Sequence, residues 1–303
     1  KVAGNFDLNG DGKSDIAYGG EFDSPGTPNV SNLGGIGVVY GRSADPAGPV
    51  VICEPDLFFL GLNQNDGLGR AVEPIGDVNA DGCDDLAIGA PDEAVSATRQ
   101  GTVRILFGGG ASCAWTQPRV LLLTQGASYV RAGSALAGGH DVDGDGIPDL
   151  VVGGPELNKD GQRYGGAWLI AGARIKALAQ DALPLVNGGL STNAPAHAFK
   201  ADGDNTPDWI GTTDVGNFGM MVALVPIPGS TAWVAVGEYT GAIGGTSPGG
   251  GAHVFEYGNP YPVVSLGGES WREGGELGLR MAAGLVGGKP VLVVAGPMGT
   301  PFG

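Results

Sequence analysis

Residues 77–92 read DVNADGCDDLAIGAPD, and this stretch combines two patterns that determine the fold. Its first nine residues follow the spacing D-x-[DN]-x-D-G-x-x-D, which places oxygen-bearing side chains at alternate positions and a glycine at the sixth. A tight loop with this spacing can wrap its oxygens around one hard cation, and the glycine permits the sharp turn. The run LAIGA that follows is apolar, as in a strand. The stretch therefore predicts a cation-binding loop between two β-strands.

The same pattern occurs three times along the chain. DLNGDGKSDIAYGGEF begins at Asp7 and DVDGDGIPDLVVGGPE begins at Asp141, and both align with the stretch from Asp77 without gaps. A second recurring segment follows each copy, namely GGIGVVYG (34–41), GTVRILFG (101–108) and GGAWLIAG (165–172), and each predicts a further strand. Repeats of short strands at a period of about 65 residues indicate a propeller, in which each blade buries its faces against its neighbours.

Two further copies keep the strands and lose the acidic loop. The first covers residues 218–239 and 250–258, and the second, over 277–298, repeats only the first half. Short Pro-Gly or Gly-Gly turns replace the aspartates there. Residues 187–217 contain KADGDNTPDW, with Lys200 at the first acidic position, and are interpreted as an insertion or a decayed loop. Only residues 173–183 have a helical pattern, which ends at Pro184.

The prediction is an all-β protein, a β-propeller of four-stranded antiparallel blades with calcium loops in the inner hairpins. Four blades and the inner hairpin of a fifth are counted, so the chain is expected to form a single propeller domain or part of one. The approximate repeats are 1–66, 67–130, 131–217 with the insertion near 187–217, 218–276 and an incomplete 277–303.

These residues resemble the FG-GAP repeats of integrin α-subunit propellers and of many secreted bacterial proteins. The FG element is Phe218-Gly219, with weaker forms at Leu68-Gly69 and Leu277-Gly278. The GAP element is Gly89-Ala90-Pro91, with relatives at 153–155 and 295–297. The three acidic loops stand where that family places calcium. The resemblance implies an extracellular or cell-surface module for recognition or adhesion, with protein or glycan ligands on the face opposite the calcium loops.

The candidate calcium ligands occupy positions one, three, five and nine of each loop, with the backbone carbonyl of position seven. In chain order they are Asp7, Asn9, Asp11, Lys13 and Asp15; Asp77, Asn79, Asp81, Cys83 and Asp85; and Asp141, Asp143, Asp145, Ile147 and Asp149. Ligation by oxygen alone favours calcium over zinc or copper. An EF-hand would need glutamate at position twelve and a following helix, whereas Tyr18, Ile88 and Val152 stand there. The alternative is three Asp-Gly turns that bind no metal.

Composition limits the partners. The formal net charge is -16 and the sequence pI is about 4.3, which argues against nucleic acid and anionic membranes. No apolar run is long enough to span a membrane. Of the three cysteines, Cys83 and Cys113 are predicted on the same face of one blade, where a disulfide is one outcome and two free thiols the other.

Ligand residues are harder to identify than calcium ligands. Trp209, Tyr239 and Trp271 fall beside segments that join strands or blades, where exposed rings would stack on sugars or anchor a protein ligand; burial between blades is the alternative for each. Other candidate functions are a structural subunit of a surface layer or extracellular filament, self-associating through the incomplete last blade, and a lectin. No combination of nucleophile, base and oxyanion donor can be named, so the chain is not predicted to be an enzyme.

Overall fold

The computed structural model describes most of the chain. The described residues are 1–20, 33–42, 54–61, 65–95, 98–109, 119–122, 130–159, 161–179, 197–198, 208–210, 217–238, 250–267 and 280–295. The sheets formed by these residues are almost entirely antiparallel, which confirms the all-β part of the predicted fold class. The described residues contain no helix that is long and apolar enough to cross a membrane.

Five sheets follow one another along the chain. Sheet 1 contains Val2–Phe6, Asp15–Gly20, Gly35–Val39 and Leu57–Leu60. Sheet 2 contains Ala71–Gly76, Asp85–Ala90, Thr102–Leu106 and Arg119–Leu122, and His197–Ala198 adds a parallel fifth strand. Sheet 3 contains Ala135–His140, Asp149–Gly154, Gly166–Ile170 and Trp209–Ile210. Sheet 4 contains Met221–Val225, Trp233–Glu238, Gly251–Phe255 and Val264–Gly267, and sheet 5 is the hairpin of Arg280–Val286 with Lys289–Ala295.

Three smaller elements lie between these strands. Ala94–Val95 pairs with Thr98–Arg99, and Asn158–Lys159 pairs with Gln162–Arg163. Helix Gly172–Ala179 follows the third strand of sheet 3 and begins one residue before the predicted helical segment 173–183. Residues 180–183 of that prediction lie outside the described residues.

Apolar residues pack between consecutive sheets. The second strands of sheets 2 and 3, DLAIGA and DLVVGG, are buried along their whole length because both of their faces are covered. Leu86 and Ile88 of sheet 2 share one core with sheet 1, while Ala87 and Trp168 share another between sheets 2 and 3. Further cores lie between sheets 3 and 4 and between sheets 4 and 5. Each sheet therefore depends on its neighbours for a core, as in a repeat architecture.

Close contacts between glycines join successive sheets. Gly133, just before sheet 3, has φ = 85° and donates its N–H to the carbonyl of Gly153 at 3.1 Å. A Cβ added to Gly89 of sheet 2 would lie only 2.0 Å from the carbonyl oxygen of Gly133. Gly69 meets Gly19 and Gly219 meets Gly153 in the same way. In all three pairs the later glycine packs against a glycine in the second strand of the preceding sheet, and both positions exclude a side chain.

The interpretation of residues 187–217 is corrected in part. Asp208 does not occupy a position in a decayed acidic loop, because Trp209–Ile210 form the outer strand of sheet 3. The N–H of Asp208 donates to the carbonyl of Ala167 at 3.0 Å, and its Oδ2 accepts the N–H of Leu169 at 2.8 Å. Asp56 makes the corresponding contacts at the outer strand of sheet 1. Residues 200–207, including Lys200, lie outside the described residues.

Candidate metal-binding loops

The three acidic loops join the first and second strands of sheets 1, 2 and 3, as the sequence predicts. Their backbones repeat closely. The fourth position has a positive φ in Gly10, Ala80 and Gly144, at 70°, 62° and 89°. The sixth has a positive φ in Gly12, Gly82 and Gly146, at 80°, 93° and 85°. Left-handed conformations at these two positions bend the backbone so that its N–H groups point into the loop.

The first aspartate of each loop accepts those inward N–H groups. Oδ1 and Oδ2 of Asp7 lie 3.0 Å from the nitrogen of Asp11 and 2.7 Å from that of Gly12. Asp77 accepts from Asp81 and Gly82 at 3.0 and 2.9 Å. Asp141 accepts from Gly144 and Gly146 at 2.7 and 2.9 Å. The first carboxylate therefore holds the turn closed through hydrogen bonds.

The third and fifth positions continue the same ladder. In the first loop, Asn9 Oδ1 accepts from the Asp11 nitrogen at 3.0 Å, and Asp11 Oδ1 accepts from the Lys13 nitrogen at 2.9 Å. The other loops repeat both bonds at 2.8–3.1 Å. Lys13 also places its Nζ 3.1 Å from Asp11 Oδ2, and this hydrogen bond lowers the pKa of the exposed Asp11 carboxyl.

The ninth aspartate is buried and connects two parts of each sheet. Asp15, Asp85 and Asp149 are each fully excluded from solvent. Oδ2 of Asp85 accepts the N–H of Val78 inside the loop at 3.0 Å, and Oδ1 accepts the N–H of Gly108 at 2.9 Å. Asp15 makes the same pair of bonds with Leu8 and Gly41, and Asp149 with Val142 and Gly172. The ninth side chain thus fastens the loop to the end of the third strand.

Burial of these carboxyls makes their negative charge unfavourable without a cation. Desolvation raises the pKa of Asp85 to about 8 and that of Asp149 to about 6, and it also raises the pKa of Asp15. The charges of other loop aspartates add to each of these shifts. A cation within the loop would favour the ionised forms.

The donor set fits a hard divalent cation best in the third loop. Carboxylate oxygens of Asp141, Asp143 and Asp149 lie within 4.8 Å of one another, close enough for one ion to contact all three. Carboxylates, amide oxygens and carbonyls are the ligands that calcium prefers. In the first two loops the third position is an asparagine, so each of these loops has one carboxylate fewer.

Several glycines that pack against the loops or between the sheets were not predicted from the sequence. Gly41, Gly108 and Gly172 each end a third-strand segment, and a Cβ on them would lie 2.3–2.5 Å from the backbone carbonyl of the residue before the ninth aspartate. Their recurrence after GVVY, RILF and WLIA was the available signal. Ala132-Gly133 is also an FG element that the resemblance did not include.

Of the remaining predicted residues, the structure describes Trp209 and Cys83. Trp209 is 5% exposed and its ring centroid lies 5.4 Å from that of Phe255, so the alternative of burial between sheets describes this residue better than an exposed ligand contact. Tyr239, Trp271, Cys53 and Cys113 lie outside the described residues. Cys83 is buried and disulfide-bonded, while its pairing with Cys113 stays a prediction.

Comparison with known proteins supplies the family. The FG-GAP repeat family matches residues 70–106 and 132–169, which span the inner strands and acidic loops of sheets 2 and 3. Homo sapiens integrin alpha-IIb is 30% identical over 210 residues, covering 66% of this chain and 20% of the relative. Residues 70–106 and 132–169 are therefore FG-GAP repeats, and the chain is similar in sequence to integrin α subunits.

Two further relatives each match about half of this chain. Mus musculus integrin alpha-IIb is 33% identical over 147 residues, covering 48% of this chain and 14% of the relative. Homo sapiens phosphatidylinositol-glycan-specific phospholipase D is 30% identical over 164 residues, covering 52% of this chain and 19% of the relative. The FG-GAP chain thus spans about a fifth or less of the length of these curated relatives. Because one of them is named as a phospholipase, the family alone does not exclude an enzyme.

Proposed function

We propose that this chain is a calcium-stabilised FG-GAP propeller, whole or in part, that acts outside the cell as a recognition or adhesion module. The observation that carries the proposal is the threefold repetition of one loop geometry, in which four side chains per loop present oxygen atoms around a backbone turned by two left-handed residues. Relatives named as integrin α subunits support the same class of function.

Calcium would be held by the residues predicted for each loop. Asp7, Asp77 and Asp141 supply the first carboxylate, the third and fifth side chains add further oxygens, and the carbonyl at position seven completes the turn. The ninth aspartate brings a buried charge that the cation neutralises. Calcium loops of extracellular modules have dissociation constants of roughly 10⁻⁴ to 10⁻³ M. Such sites fill outside the cell and stay empty in the cytosol, which supports an extracellular location.

A thermal melt in excess calcium, in excess magnesium and in chelator tests this proposal. Calcium should raise the melting temperature, because a ligand that binds only the native state stabilises it. Asp143→Ala should reduce the calcium-dependent rise, while Glu256→Ala, which removes an equal charge from an exposed turn of sheet 4, should leave it unchanged. Equal melting temperatures in calcium and chelator would contradict the calcium assignment and the extracellular location inferred from it.

We propose a protein as the ligand class, on the face opposite the calcium loops. Names of the integrin relatives support this class, and glycans remain the second candidate from the resemblance. Immobilised chain tested against extracellular matrix proteins and against a glycan array separates the two. Binding that vanishes in chelator would support a calcium-ordered surface, whereas binding to glycans alone would favour the lectin alternative.

Self-association is the second candidate function, because two of the described sheets expose apolar side chains. Sheet 1 exposes Val2, Ile16 and Phe58 at 69%, 47% and 44%, and sheet 5 exposes Val293 at 58%. Exposed apolar faces of this kind mark interaction surfaces. Light scattering of the folded chain distinguishes the two functions: a defined oligomer lost in Phe58→Ser and Val293→Ser favours assembly, and a monomer contradicts it.

We do not propose an enzymatic role. Among the described residues of sheet 4, the imidazole of His253 lies between a serine and a glutamate. His253 Nδ1 is 3.1 Å from Ser265 Oγ, and His253 Nε2 is 3.3 Å from Glu238 Oε2. The three residues occupy neighbouring strands of one sheet, and His253 packs 5.8 Å from the ring of Phe218. Labelling of Ser265 by a fluorophosphonate, abolished in His253→Ala, would contradict the non-enzymatic proposal.

A further inference from the structure

The residue just before the second strand occupies an equivalent place in each sheet. It is Asp84 in sheet 2, Pro148 in sheet 3 and Ala232 in sheet 4. In each case this residue lies against the loop of the preceding sheet, so the contact joins one loop to the next sheet along the chain.

Asp84 makes the strongest of these contacts. Its N–H donates to the carbonyl of Asp7 at 2.9 Å, and its Oδ2 accepts the N–H of Asp7 at 2.8 Å. The carbonyl of Leu8 accepts a further bond from Gly109 at 2.8 Å. Sheet 2 therefore holds both backbone groups of the residue that supplies the first carboxylate of loop 1.

Ala232 and Pro148 make weaker versions of the same contact. The N–H of Ala232 donates to the carbonyl of Asp141 at 2.8 Å, but alanine has no carboxylate to accept the N–H in return. Proline has no N–H to donate. The Pro148 ring packs instead beside Gly76, where an added Cβ would lie 3.4 Å from its Cγ. Loop 1 thus receives two such hydrogen bonds from the next sheet, loop 3 receives one and loop 2 receives none.

We propose that this position determines how tightly each loop's calcium binding is coupled to the packing of the next sheet, with Asp84 acting as the positioning residue for Asp7. The inference rests on the proposed calcium function. Fixing the Asp7 backbone reduces the ordering that must accompany ion binding, which raises affinity. Because coupling is reciprocal, calcium in loop 1 stabilises the contact between sheets 1 and 2 by the same free energy.

Single-loop variants of the whole chain allow the test. Asp81→Ala with Asp145→Ala leaves loop 1 as the intact loop, and calcium binding is then measured by titration calorimetry. Adding Asp84→Ala should weaken binding by about tenfold, as expected when a hydrogen bond near a charged ligand is lost. Asp84→Asn should retain most of the affinity because its amide oxygen still accepts the Asp7 N–H.

A gain-of-function variant gives an independent check. In a chain with only loop 2 intact, made by Asp11→Ala and Asp145→Ala, Pro148→Asp supplies both missing groups to Asp77 and should tighten calcium binding severalfold. Amide exchange at Asp7 gives a readout beside affinity: protection should rise with calcium in the parent and in Asp84→Asn, and stay low in folded Asp84→Ala. Unchanged affinity and protection in Asp84→Ala would overturn the inference while the calcium function stands. A parent chain that binds no calcium would overturn the calcium function itself.

Discussion

The first and second strands of a sheet are joined by one kind of connection in sheets 1 to 3 and by another in sheet 4. Sheets 1 to 3 use acidic loops whose N–H groups are accepted by aspartate and asparagine oxygens. Sheet 4 uses the turn at residues 226–232, in which Ser230 donates to the carbonyl of Ile227 at 3.1 Å and Gly229 has φ = 74°. Since the short turn closes an equally regular hairpin, the strands do not need acidic loops to pair.

The difference extends to the start of the second strand. Sheets 1 to 3 bury an aspartate there, whereas sheet 4 places Trp233, which packs with the core between sheets 4 and 5. A buried carboxylate is more expensive than an apolar ring unless it is paired or coordinated. The three buried carboxylates support the proposed cation, and variants of either region test the comparison.

The largest expected effect comes from the glycine contacts that join sheets 1 to 4. Gly89→Ala would place a Cβ 2.0 Å from the Gly133 carbonyl and should destabilise the chain by about 3 kcal/mol or more, in calcium and in chelator alike. Gly284→Ala is the control, since nothing lies within 4 Å of its Cβ position. Denaturant unfolding measures both variants. A loss in Gly89→Ala that depends on calcium would mean that calcium binding is coupled to the packing of sheets 2 and 3, where Pro148 donates no hydrogen bond to the loop.

The ninth aspartate should show the next largest effect. Asp85→Ala leaves the buried N–H groups of Val78 and Gly108 without an acceptor, so a loss of about 2–3 kcal/mol is expected even in chelator. Asp81→Ala, at an exposed position of the same loop, should reduce stability mainly when calcium is present. Equal losses for the two variants in chelator would contradict the separate roles of these positions.

Exchanging the two kinds of connection tests the comparison directly. A chain with residues 226–232 copied in place of 141–148 should fold in chelator and lose one calcium ion. Its calcium-dependent stabilisation should fall by about 1–2 kcal/mol, the contribution of one site when calcium exceeds its dissociation constant by about tenfold. The reverse exchange, acidic loop into sheet 4, should add a site only if Trp233 also becomes aspartate.

The smallest effect concerns a carboxyl outside the loops. Glu73 lines a cavity of about 330 Å³, and burial raises its pKa to about 7 from 4.5, opposed by Lys1 and a hydrogen bond from Gly138. The native state therefore holds this proton more tightly, and stability should fall as pH rises from about 4.5 through 7. With calcium in excess, Glu73→Gln should flatten that decline and be more stable at high pH by about 1 kcal/mol.

Exposed Glu256→Gln is the control for this pH dependence, because its side chain is solvated in the native state. A pH profile of stability that is the same in Glu73→Gln and in the parent chain would assign the decline to other groups.

The sequence predicted the hairpins that recur along the chain. Three aligned loops and their following apolar runs indicated hairpins, and the Pro-Gly and Gly-Gly turns were correctly interpreted as the same hairpins without aspartates. The outer strands were less predictable. Trp209–Ile210 is only two residues long and follows an acidic segment that aligns with a loop, so local pattern favoured the wrong assignment.

The sequence indicated the candidate ligands of the acidic loops, but it did not indicate the hydrogen bonds that these residues make with distant parts of the chain. Alternating aspartates identify candidate ligands, but the bonds from Gly108 to Asp85 and from Asp84 to Asp7 join residues that lie far apart in sequence. No local spacing encodes such contacts. The recurring glycines were visible, and only the packed sheets show that a side chain there would strike the neighbouring backbone.

The most direct test of the account is the number of calcium ions bound per folded chain, measured by titration calorimetry together with native mass spectrometry. Three ions are predicted for the intact chain and two for the chain in which the turn of sheet 4 replaces the loop of sheet 3. A folded chain that binds no calcium, or binds the same number after that replacement, would contradict the assignment of these loops as the calcium sites.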